Sequence, residues 1–377
     1  MAEARTRIHG YELLQPLQNR DAGFSRWTFV RRNRQEFFLK EFMDPVYPTD
    51  PNLSMNLRAG RIAECEAFER KRTRLYSAVN AASDGNAVRI FDFFRQGSRY
   101  YIVTPRVVRA QITFERIAQL PLSQRALLCR SLAHTVMRLH SRRIVHSDIK
   151  ETNVMLSPAR NGNLTAKLID FDAGFFEDDP PECEDDLGGD QVYLSPEACR
   201  FLCGEEVALT CAMDVFSLGL LFHQYLTGAL PGFDTEQYYY AHEAVLCGET
   251  LTLSDTLEPP LRDMLARMLD VDPDKRCTAR EAYRTLGDYI DPDPCRTGTV
   301  PPGALDILDD DAVIVAQPPA AAVRKTRLKG SNLLTDDAPD AAVSAALSGS
   351  HFNSAQAPAA PARKPDPAAW FHAGGEL

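Results

Sequence analysis

Residues 146–153, which read HSDIKETN, place a carboxylate, an ammonium and a carboxamide in one short polar stretch between apolar segments. Phosphoryl transfer needs little covalent help from a protein. It needs an acceptor for a hydroxyl proton, a ligand for a metal ion, and positive charge near the transferred group. Asp148, Asn153 and Lys150 are residue types that supply these three functions. Taken alone, the stretch is also compatible with an ordinary polar turn.

A second acidic position ends an apolar run in KLIDFD, residues 167–172. A hairpin between the two stretches would return Asp170 beside Asn153. A carboxylate and a carboxamide oxygen together form the hard-oxygen site that suits Mg²⁺. The alternative is a turn at the end of a strand, with its aspartates simply solvated.

A lysine lies inside an apolar run upstream, at Lys40 in FFLKEF, residues 37–42. Burying a lysine in a strand is costly unless its charge is paired, so this position favours a bound anion or a carboxylate partner. Three further short elements follow the polar stretches in the chain: YLSPE at 193–197, DVFSLG at 214–219 and DPDKR at 272–276.

The elements that must position these residues fall into two groups. Residues 24–32, 35–42, 87–96 and 98–107 are rich in strand formers, and 58–79 has the character of a charged helix. From about residue 120 helical periodicity dominates, and the apolar run 215–230 is typical of a buried helix. The chain is therefore predicted to be α+β, with a small sheet-plus-helix lobe at 8–107 and a larger, mainly α-helical lobe at 108–290.

The composition changes near residue 291, where the chain becomes rich in Ala, Pro, Asp and Ser. Such a segment cannot bury enough apolar surface to offset the entropy of ordering it. Residues 295–377 are therefore predicted to be a disordered tail. Its last residues, AAWFHAGGEL, could dock on a partner, although isolated aromatics in a tail usually have no such role.

Taken in this order, the elements resemble the eukaryotic-type Ser/Thr protein kinase family, in a bacterial-looking form with HSD and DFD variants of its motifs. HSDIKETN is similar to the catalytic loop, IDFD to the metal-binding element, and YLSPE to the end of the activation segment. The resemblance covers about residues 10–290 and implies a two-lobed protein-kinase-like fold. The lysine two residues after Asp148 follows the pattern of Ser/Thr-directed members.

The resemblance also implies a role for each matched position. Asp148 would accept the proton of the substrate hydroxyl, and Lys150 would neutralise charge at the γ-phosphate of ATP. Asn153 and Asp170 would hold Mg²⁺, and Lys40 would hold the α- and β-phosphates.

Three matched positions have implied roles in the fold. Glu197 and Arg276 would form a buried ion pair, and Asp214 would brace the backbone of the catalytic loop.

The phosphate-binding loop departs from the glycine-rich pattern of the family. Its best candidate, residues 20–27, retains the small residues Ala22, Gly23 and Ser25, which still permit close approach of backbone to phosphates. Trp27 replaces the valine that would cover adenine. On the strand at 98–107, the resemblance places Thr104 at the gatekeeper position, and Arg106 and Val107 at the adenine-binding backbone.

The carboxylate partner of Lys40 is expected on the helix at 60–80. Placing Phe68 and its apolar neighbours inward puts Glu64 and Glu69 at the edges of the inner face. The spacing to the following strand favours Glu69.

Two replacements bear on regulation. Asp172 stands where the family has glycine, so an inactivating flip of this element should be harder, and a second carboxylate should raise metal attraction. Ser147 stands where many members carry an arginine that pairs with a phosphorylated residue. Residues 173–192 contain no Ser, Thr, Tyr, Lys or Arg, and eight acidic residues. Activity is therefore predicted not to be gated by phosphorylation of this stretch. The acidic loop either favours a basic substrate segment or is simply solvated.

Bulk properties narrow the class of protein. The net charge of −10 and pI near 5.4 disfavour nucleic acid as a partner. The apolar run 215–230 is too short to span a membrane, and the start of the chain lacks the apolar region of a signal peptide. Nine scattered cysteines indicate reduced thiols and a cytoplasmic location.

The resulting prediction is a protein kinase that uses ATP and Mg²⁺ and acts on Ser/Thr hydroxyls of a protein substrate. A pseudokinase that serves as an interaction scaffold is the alternative. A kinase of small molecules is disfavoured, because YLSPE resembles a peptide-docking element.

Overall fold

The computed structural model describes residues 6–19, 25–107, 110–158, 164–290 and 306–307. Its strands are β1 Arg7–Ile8, β2 Tyr11–Leu13, β3 Ser25–Arg32, β4 Gln35–Phe42, β5 Asp92–Gln96, β6 Arg99–Pro105, β7 Ala110–Gln111, β8 Ile144–Val145, β9 Val154–Pro158, β10 Leu164–Leu168, β11 Phe175–Phe176 and β12 Asp306–Ile307. Its α-helices are α1 Met55–Ala82, α2 Phe114–Ala118, α3 Leu122–His140, α4 Pro196–Leu202, α5 Ala212–Thr227, α6 Ala241–Leu246, α7 Pro259–Met268 and α8 Ala279–Gly287.

The N-terminal lobe is built on an antiparallel sheet whose strands run in the order β1-β2-β3-β4-β6-β5. Aromatic and β-branched residues fill these strands because such side chains pack well on a pleated surface. The β5–β6 turn uses Gly97 at φ 65°, a conformation that glycine adopts without strain. One face of the sheet buries a cluster around Val30, Leu39 and Val103.

The opposite face of β3 and β4 carries Lys40. In the strand register Trp27 pairs with Lys40, and Phe29 pairs with Phe38. Because paired residues share a face and side chains alternate along a strand, all four side chains lie on the same side of the sheet. This face therefore presents one lysine beside three aromatic rings.

Helix α1 packs against the sheet through the C-terminal two thirds of its length. Cys65, Leu75, Tyr76 and Val79 are buried there, whereas the first turns of the helix are exposed. The ring of Phe68 lies 5.1 Å from that of Tyr100 on β6. The helix is thus fixed by aromatic packing on the strand next to β4.

The C-terminal lobe is helical and centres on α5. Almost every residue of α5 from Met213 to Leu226 is buried, as expected for the apolar run at 215–230. Gly219 allows the close approach of the chain that follows α7, because a Cβ there would come within 2.9 Å of Leu269. The two-lobed α+β architecture predicted from the sequence is confirmed.

Individual elements agree with the prediction to different extents. The strands at 24–32 and 35–42 and the helix at 58–79 are confirmed with small shifts of their ends. Of the run 87–96, only β5 forms a strand of the sheet. Of the predicted tail, only β12 lies within the described residues, and it pairs antiparallel with β7. Within the described residues, no helix is long and apolar enough to cross a bilayer.

Candidate active site

A hairpin brings the two polar stretches together, as their spacing predicts. Strands β9 and β10 are antiparallel with Val154 opposite Leu168. The N–H of Ile169 donates to the carbonyl of Asn153 at 2.9 Å. Asp170 is the next residue, so this backbone bond places it close to Asn153, as predicted from the sequence.

Asp148 lies at the centre of the site. Its Oδ2 accepts a hydrogen bond from Asn153 Nδ2 at 2.8 Å and lies 2.9 Å from Lys150 Nζ. Its Oδ1 is buried and makes no hydrogen bond within the described part of the chain. Burial raises the pKa of Asp148 above its ordinary value, and the charge of Lys150 opposes that rise. Asp148 thus presents one uncommitted oxygen, which is what a proton acceptor requires.

Asp214 holds the backbone that leads into this loop. Its carboxylate is fully buried and accepts the N–H groups of His146 at 2.8 Å and Ser147 at 2.9 Å. Ser147 adopts φ 68°, and its hydroxyl donates to the carbonyl of Gly188 at 3.2 Å. The bracing role inferred for Asp214 is confirmed, and Ser147 links the catalytic loop to the activation segment.

Lys40 reaches across the cleft to the end of the hairpin. Its Nζ lies 3.0 Å from Asp170 Oδ2 and 2.6 Å from Asp172 Oδ2. Burial alone would lower the pKa of Lys40, but the two carboxylates more than offset this and raise it above its usual value. Burial would likewise raise the pKa of Asp170, but Lys40 holds it below the ordinary value. The structure thus joins Lys40, Asp170 and Asp172 in one charged cluster.

The expected pairing of Lys40 with Glu69 is wrong in this structure. Glu69 Oε1 accepts a hydrogen bond from Tyr100 at 2.7 Å and lies 3.6 Å from Arg95 Nε. The inward face of the helix was inferred correctly. However, Tyr100 and Arg95 lie beside Glu69 across the helix–sheet interface, and they contact its carboxylate in place of Lys40.

The expected nucleotide-binding positions are only partly within the described residues. Ala22 and Gly23 lie outside them, and Ser25 is the buried first residue of β3. Thr104 pairs with Phe38 across β4 and β6, and Val107 is half-buried two residues beyond the end of β6. Thr104 therefore shares the face that carries Lys40, where the family resemblance expects the purine.

That face is crowded with aromatic rings. The centroid of Trp27 lies 5.5 Å from that of Phe38 in a stacked arrangement and 5.5 Å from that of Phe29. Arg106 places its guanidinium 4.4 Å above Phe29 and pairs with Glu36 at 2.6 Å. A purine bound beside this face would meet aromatic surface where the family pattern expects an aliphatic residue.

The acidic start of the activation segment is paired with basic residues. Asp178 lies 3.3 Å from Arg74 on α1. Asp179 lies 3.8 Å from both Lys71 and Arg74. Glu177 lies 3.1 Å from Arg143, next to the catalytic loop. The sequence reveals the acidic residues but not these partners, because Lys71 and Arg74 lie about one hundred residues earlier in the chain.

Side chains suited to holding Mg²⁺ are present. The carboxamide of Asn153 and the carboxylate of Asp170 are hard oxygen donors of the kind Mg²⁺ prefers. Asn153 donates from its Nδ2 to Asp148, so its Oδ1 points away from Asp148. This donor set fits the metal that the family resemblance implies.

The comparisons with known proteins agree with this geometry. A family model described as "Protein kinase domain" matches residues 66–286, more than half of the chain. The match includes Asp148, Asn153 and Asp170, and it begins inside α1, after Lys40.

Similar curated proteins include the serine/threonine-protein kinase ULK3 of Xenopus laevis, which is 32% identical over 178 residues, 46% of this chain and 34% of that protein. The calcium-dependent protein kinase 34 of Arabidopsis thaliana is 30% identical over 159 residues, 41% of this chain and 29% of that protein. The serine/threonine-protein kinase ste20 of Aspergillus oryzae is 29% identical over 206 residues, 53% of this chain and 23% of that protein. The chain thus spans about a third or less of the length of these relatives.

The family match covers the catalytic loop, the hairpin that carries Asp170, and the buried helix α5. The chain therefore belongs to the protein kinase domain family.

Proposed function

We propose that the chain is a protein kinase that transfers the γ-phosphoryl group of ATP to Ser/Thr hydroxyls of a protein, with Mg²⁺ as cofactor. The observation that carries this proposal is Asp148 Oδ1, a buried carboxylate oxygen without a hydrogen bond within the described residues. A scaffold has no use for such an oxygen, because leaving it unsatisfied costs free energy.

The roles of the residues follow from their positions. Asp148 receives the hydroxyl proton as the substrate oxygen bonds to the γ-phosphorus and the bond to the bridging oxygen of ADP breaks. Lys150, 2.9 Å from Asp148, supplies positive charge beside the transferred group. Mg²⁺, when bound by Asn153 and Asp170, neutralises charge on the phosphates. Lys40 holds the α- and β-phosphates.

A protein substrate is supported by the surroundings of Asp148. The YLSPE element contributes Tyr193, Leu194 and Ser195 to the wall of a small cavity beside Asp148. The names of the similar proteins, all serine/threonine-protein or calcium-dependent protein kinases, support the same substrate class.

We further propose that phosphorylation of the activation segment is not needed for activity. Asp178, Asp179 and Glu177 already pair with Arg74, Lys71 and Arg143. Fixed carboxylates thereby supply the negative charge that a phosphate would add.

We also propose that the chain prefers a basic substrate segment. Glu182, Glu184, Asp185 and Asp186 are exposed farther along the same segment. Four carboxylates on one exposed stretch would attract a cationic peptide. A peptide array that showed preference for acidic flanks would overturn this part.

We also propose a lobe boundary, a docking role for the tail and a cytoplasmic location. The lobes divide at residues 107 and 108, and the tail from residue 295 docks a partner. The scattered cysteines and acidic charge support a cytoplasmic location.

An interaction scaffold is the second candidate function. It is favoured by the stacking of Trp27 on Phe38 at the face where the purine would bind. If these rings exclude ATP, the kinase fold serves only for binding other proteins.

One experiment separates the two functions. The full chain is incubated with Mg²⁺, γ-labelled ATP and a basic protein substrate, beside Asp148→Asn and Lys40→Met. We expect transfer by the wild type and a loss of about 10²-fold or more in both variants. ATP binding without transfer, or no ATP binding, would instead support the scaffold. Transfer of label to the protein's own tail, which contains Thr335, would report autophosphorylation and is a first readout.

A further inference from the structure

We propose that Asp172, held by Tyr76 of α1, is the carboxylate that positions Lys40, and that no glutamate of α1 has this role. The functional part of the inference rests on the proposed function, in which Lys40 binds nucleotide phosphates. The pairing itself can be tested without nucleotide.

The two oxygens of Asp172 have different partners. Oδ2 lies 2.6 Å from Lys40 Nζ, and Oδ1 accepts a hydrogen bond from the hydroxyl of Tyr76 at 3.1 Å. The side chains of Lys40 and Asp172 are 16% and 22% exposed, and Tyr76 is buried. Asp172 thus bridges helix α1 and strand β4 in a site largely shielded from water, where a charge pair is weakly screened.

The acidic residues of α1 either have other partners or are exposed. Glu69 bonds to Tyr100, Glu66 lies 3.9 Å from Arg70 on the exposed side of the helix, and Glu64 is exposed. Within the described contacts, none of the three reaches Lys40.

The inner face of α1 offers Lys40 no acid. It presents Arg72, whose guanidinium lies 5.3 Å from the Phe68 ring, and then Leu75 and Tyr76. A guanidinium cannot pair with an ammonium. The helix therefore contacts the charged cluster through the neutral hydroxyl of Tyr76.

Asp172 and Asp170 both touch Lys40, but their roles differ. Asp170 is a proposed ligand of Mg²⁺, and metal coordination would compete with its contact to Lys40. Asp172 would keep its contact with Lys40 in that state. The positive φ of this turn falls on Asp170, at 61°, so position 172 does not need glycine and can carry a side chain. The replacement of glycine by Asp172 thus supplies the charge that α1 lacks.

The pairing is tested by double-mutant cycles in urea unfolding, without nucleotide. The first cycle combines Lys40→Met with Asp172→Asn, and the matched cycle combines Lys40→Met with Glu69→Gln. For the first pair, we expect the unfolding constant of the double variant to differ about tenfold from the value that two independent substitutions would give. For the second pair, we expect the two substitutions to act independently. Independent effects of the two substitutions in the first cycle, or coupling only in the second cycle, would overturn the proposal.

The positioning role is tested by the kinetics of the full chain. Asp172→Asn and Asp172→Gly are expected to raise KM for ATP about tenfold with a smaller effect on kcat, and Tyr76→Phe about threefold. Glu69→Gln is expected to leave KM unchanged. Circular dichroism of each variant checks that it is folded.

The outcomes separate this inference from the proposed function. Absence of transfer by the wild type overturns the kinase proposal, while the unfolding cycles still decide the pairing. Transfer by the wild type with an unchanged KM in both Asp172 variants overturns the positioning role. If those variants raise only the Mg²⁺ requirement, Asp172 is a metal ligand, and the inference also fails.

Discussion

Glu197 and Arg276 form a two-point ion pair between residues 79 positions apart in the chain. Nη1 of Arg276 donates to Oε1 of Glu197 at 2.7 Å and Nη2 to Oε2 at 2.8 Å, and the side chains are 5% and 1% exposed for Glu197 and Arg276. Arg276 also donates to the carbonyls of Asp270 and Ala212. The pair predicted from the YLSPE and DPDKR elements is confirmed, and it ties α4 to α5 and to the chain before α8.

Replacing Arg276 tests how much this pair stabilises the fold. Arg276→Met leaves Glu197 as a buried charge without its partner, so we expect the free energy of unfolding to fall by about 3–5 kcal/mol. Urea unfolding at pH 7 measures the change. Arg267→Met is the matched control, because its pair with Glu281 is exposed and worth about 1 kcal/mol or less. Equal losses in the two variants would contradict a special role for Arg276.

Asp214→Asn tests the brace of the catalytic loop. The carboxylate accepts two backbone N–H groups with two oxygens, whereas an amide offers one oxygen and an extra donor. One buried N–H of His146 or Ser147 loses its acceptor, so we expect a loss of about 1–3 kcal/mol in stability together with slower phosphoryl transfer. Asp255→Asn, on a fully exposed side chain, should change neither measurement.

Salt dependence tests the ion pairs that hold the activation segment. The pairs of Asp178 and Asp179 with Arg74 and Lys71 are exposed, so raising NaCl from about 0.1 to 1 M screens them. We expect hydrogen exchange of residues 175–179 to speed up in the wild type. In Lys71→Ala/Arg74→Ala exchange should already be faster and respond less to salt, because only the pair of Glu177 with Arg143 remains. Arg70→Ala, on the same helix but paired with Glu66, should behave as the wild type. Slow exchange in the double variant would exclude a role for these pairs.

Glu281 gives a stability effect with a defined pH range. It accepts the N–H of Thr278 at 2.7 Å in the cap of α8 and pairs with Arg267, and these contacts lower its pKa to about 2. A lowered carboxylate pKa stabilises the fold above the unfolded value near 4.3, and the effect is lost as pH falls toward 2. We expect Glu281→Gln to cost about 1 kcal/mol at pH 7. In urea unfolding the difference from wild type should shrink by pH 3. A difference independent of pH would mean that the charge of Glu281 contributes nothing.

The order of short elements along the chain was enough to predict much of the site. Asp148, Asn153 and Asp170 converge because two polar stretches flank a short hairpin, and hairpin geometry is local. The buried position of Lys40 within a strand correctly predicted a carboxylate partner.

What the sequence could not show depends on distant packing. Choosing among Glu64, Glu69 and Asp172 as the partner of Lys40 required the lateral position of α1 over the sheet, which Phe68 and Tyr100 set through a tertiary contact. Helical periodicity gives the face of a helix but not its neighbours. The same limit concealed the basic partners of the acidic segment.

The pairing of residues 177–179 with basic residues has a consequence for how the protein could be controlled in a cell. Carboxylates of Asp and Glu are present as soon as the chain is made, and no phosphatase can remove them. Another enzyme cannot install or erase this anchor as it could a phosphate. The anchored state would therefore respond to ionic conditions and to molecules that compete for Lys71 and Arg74.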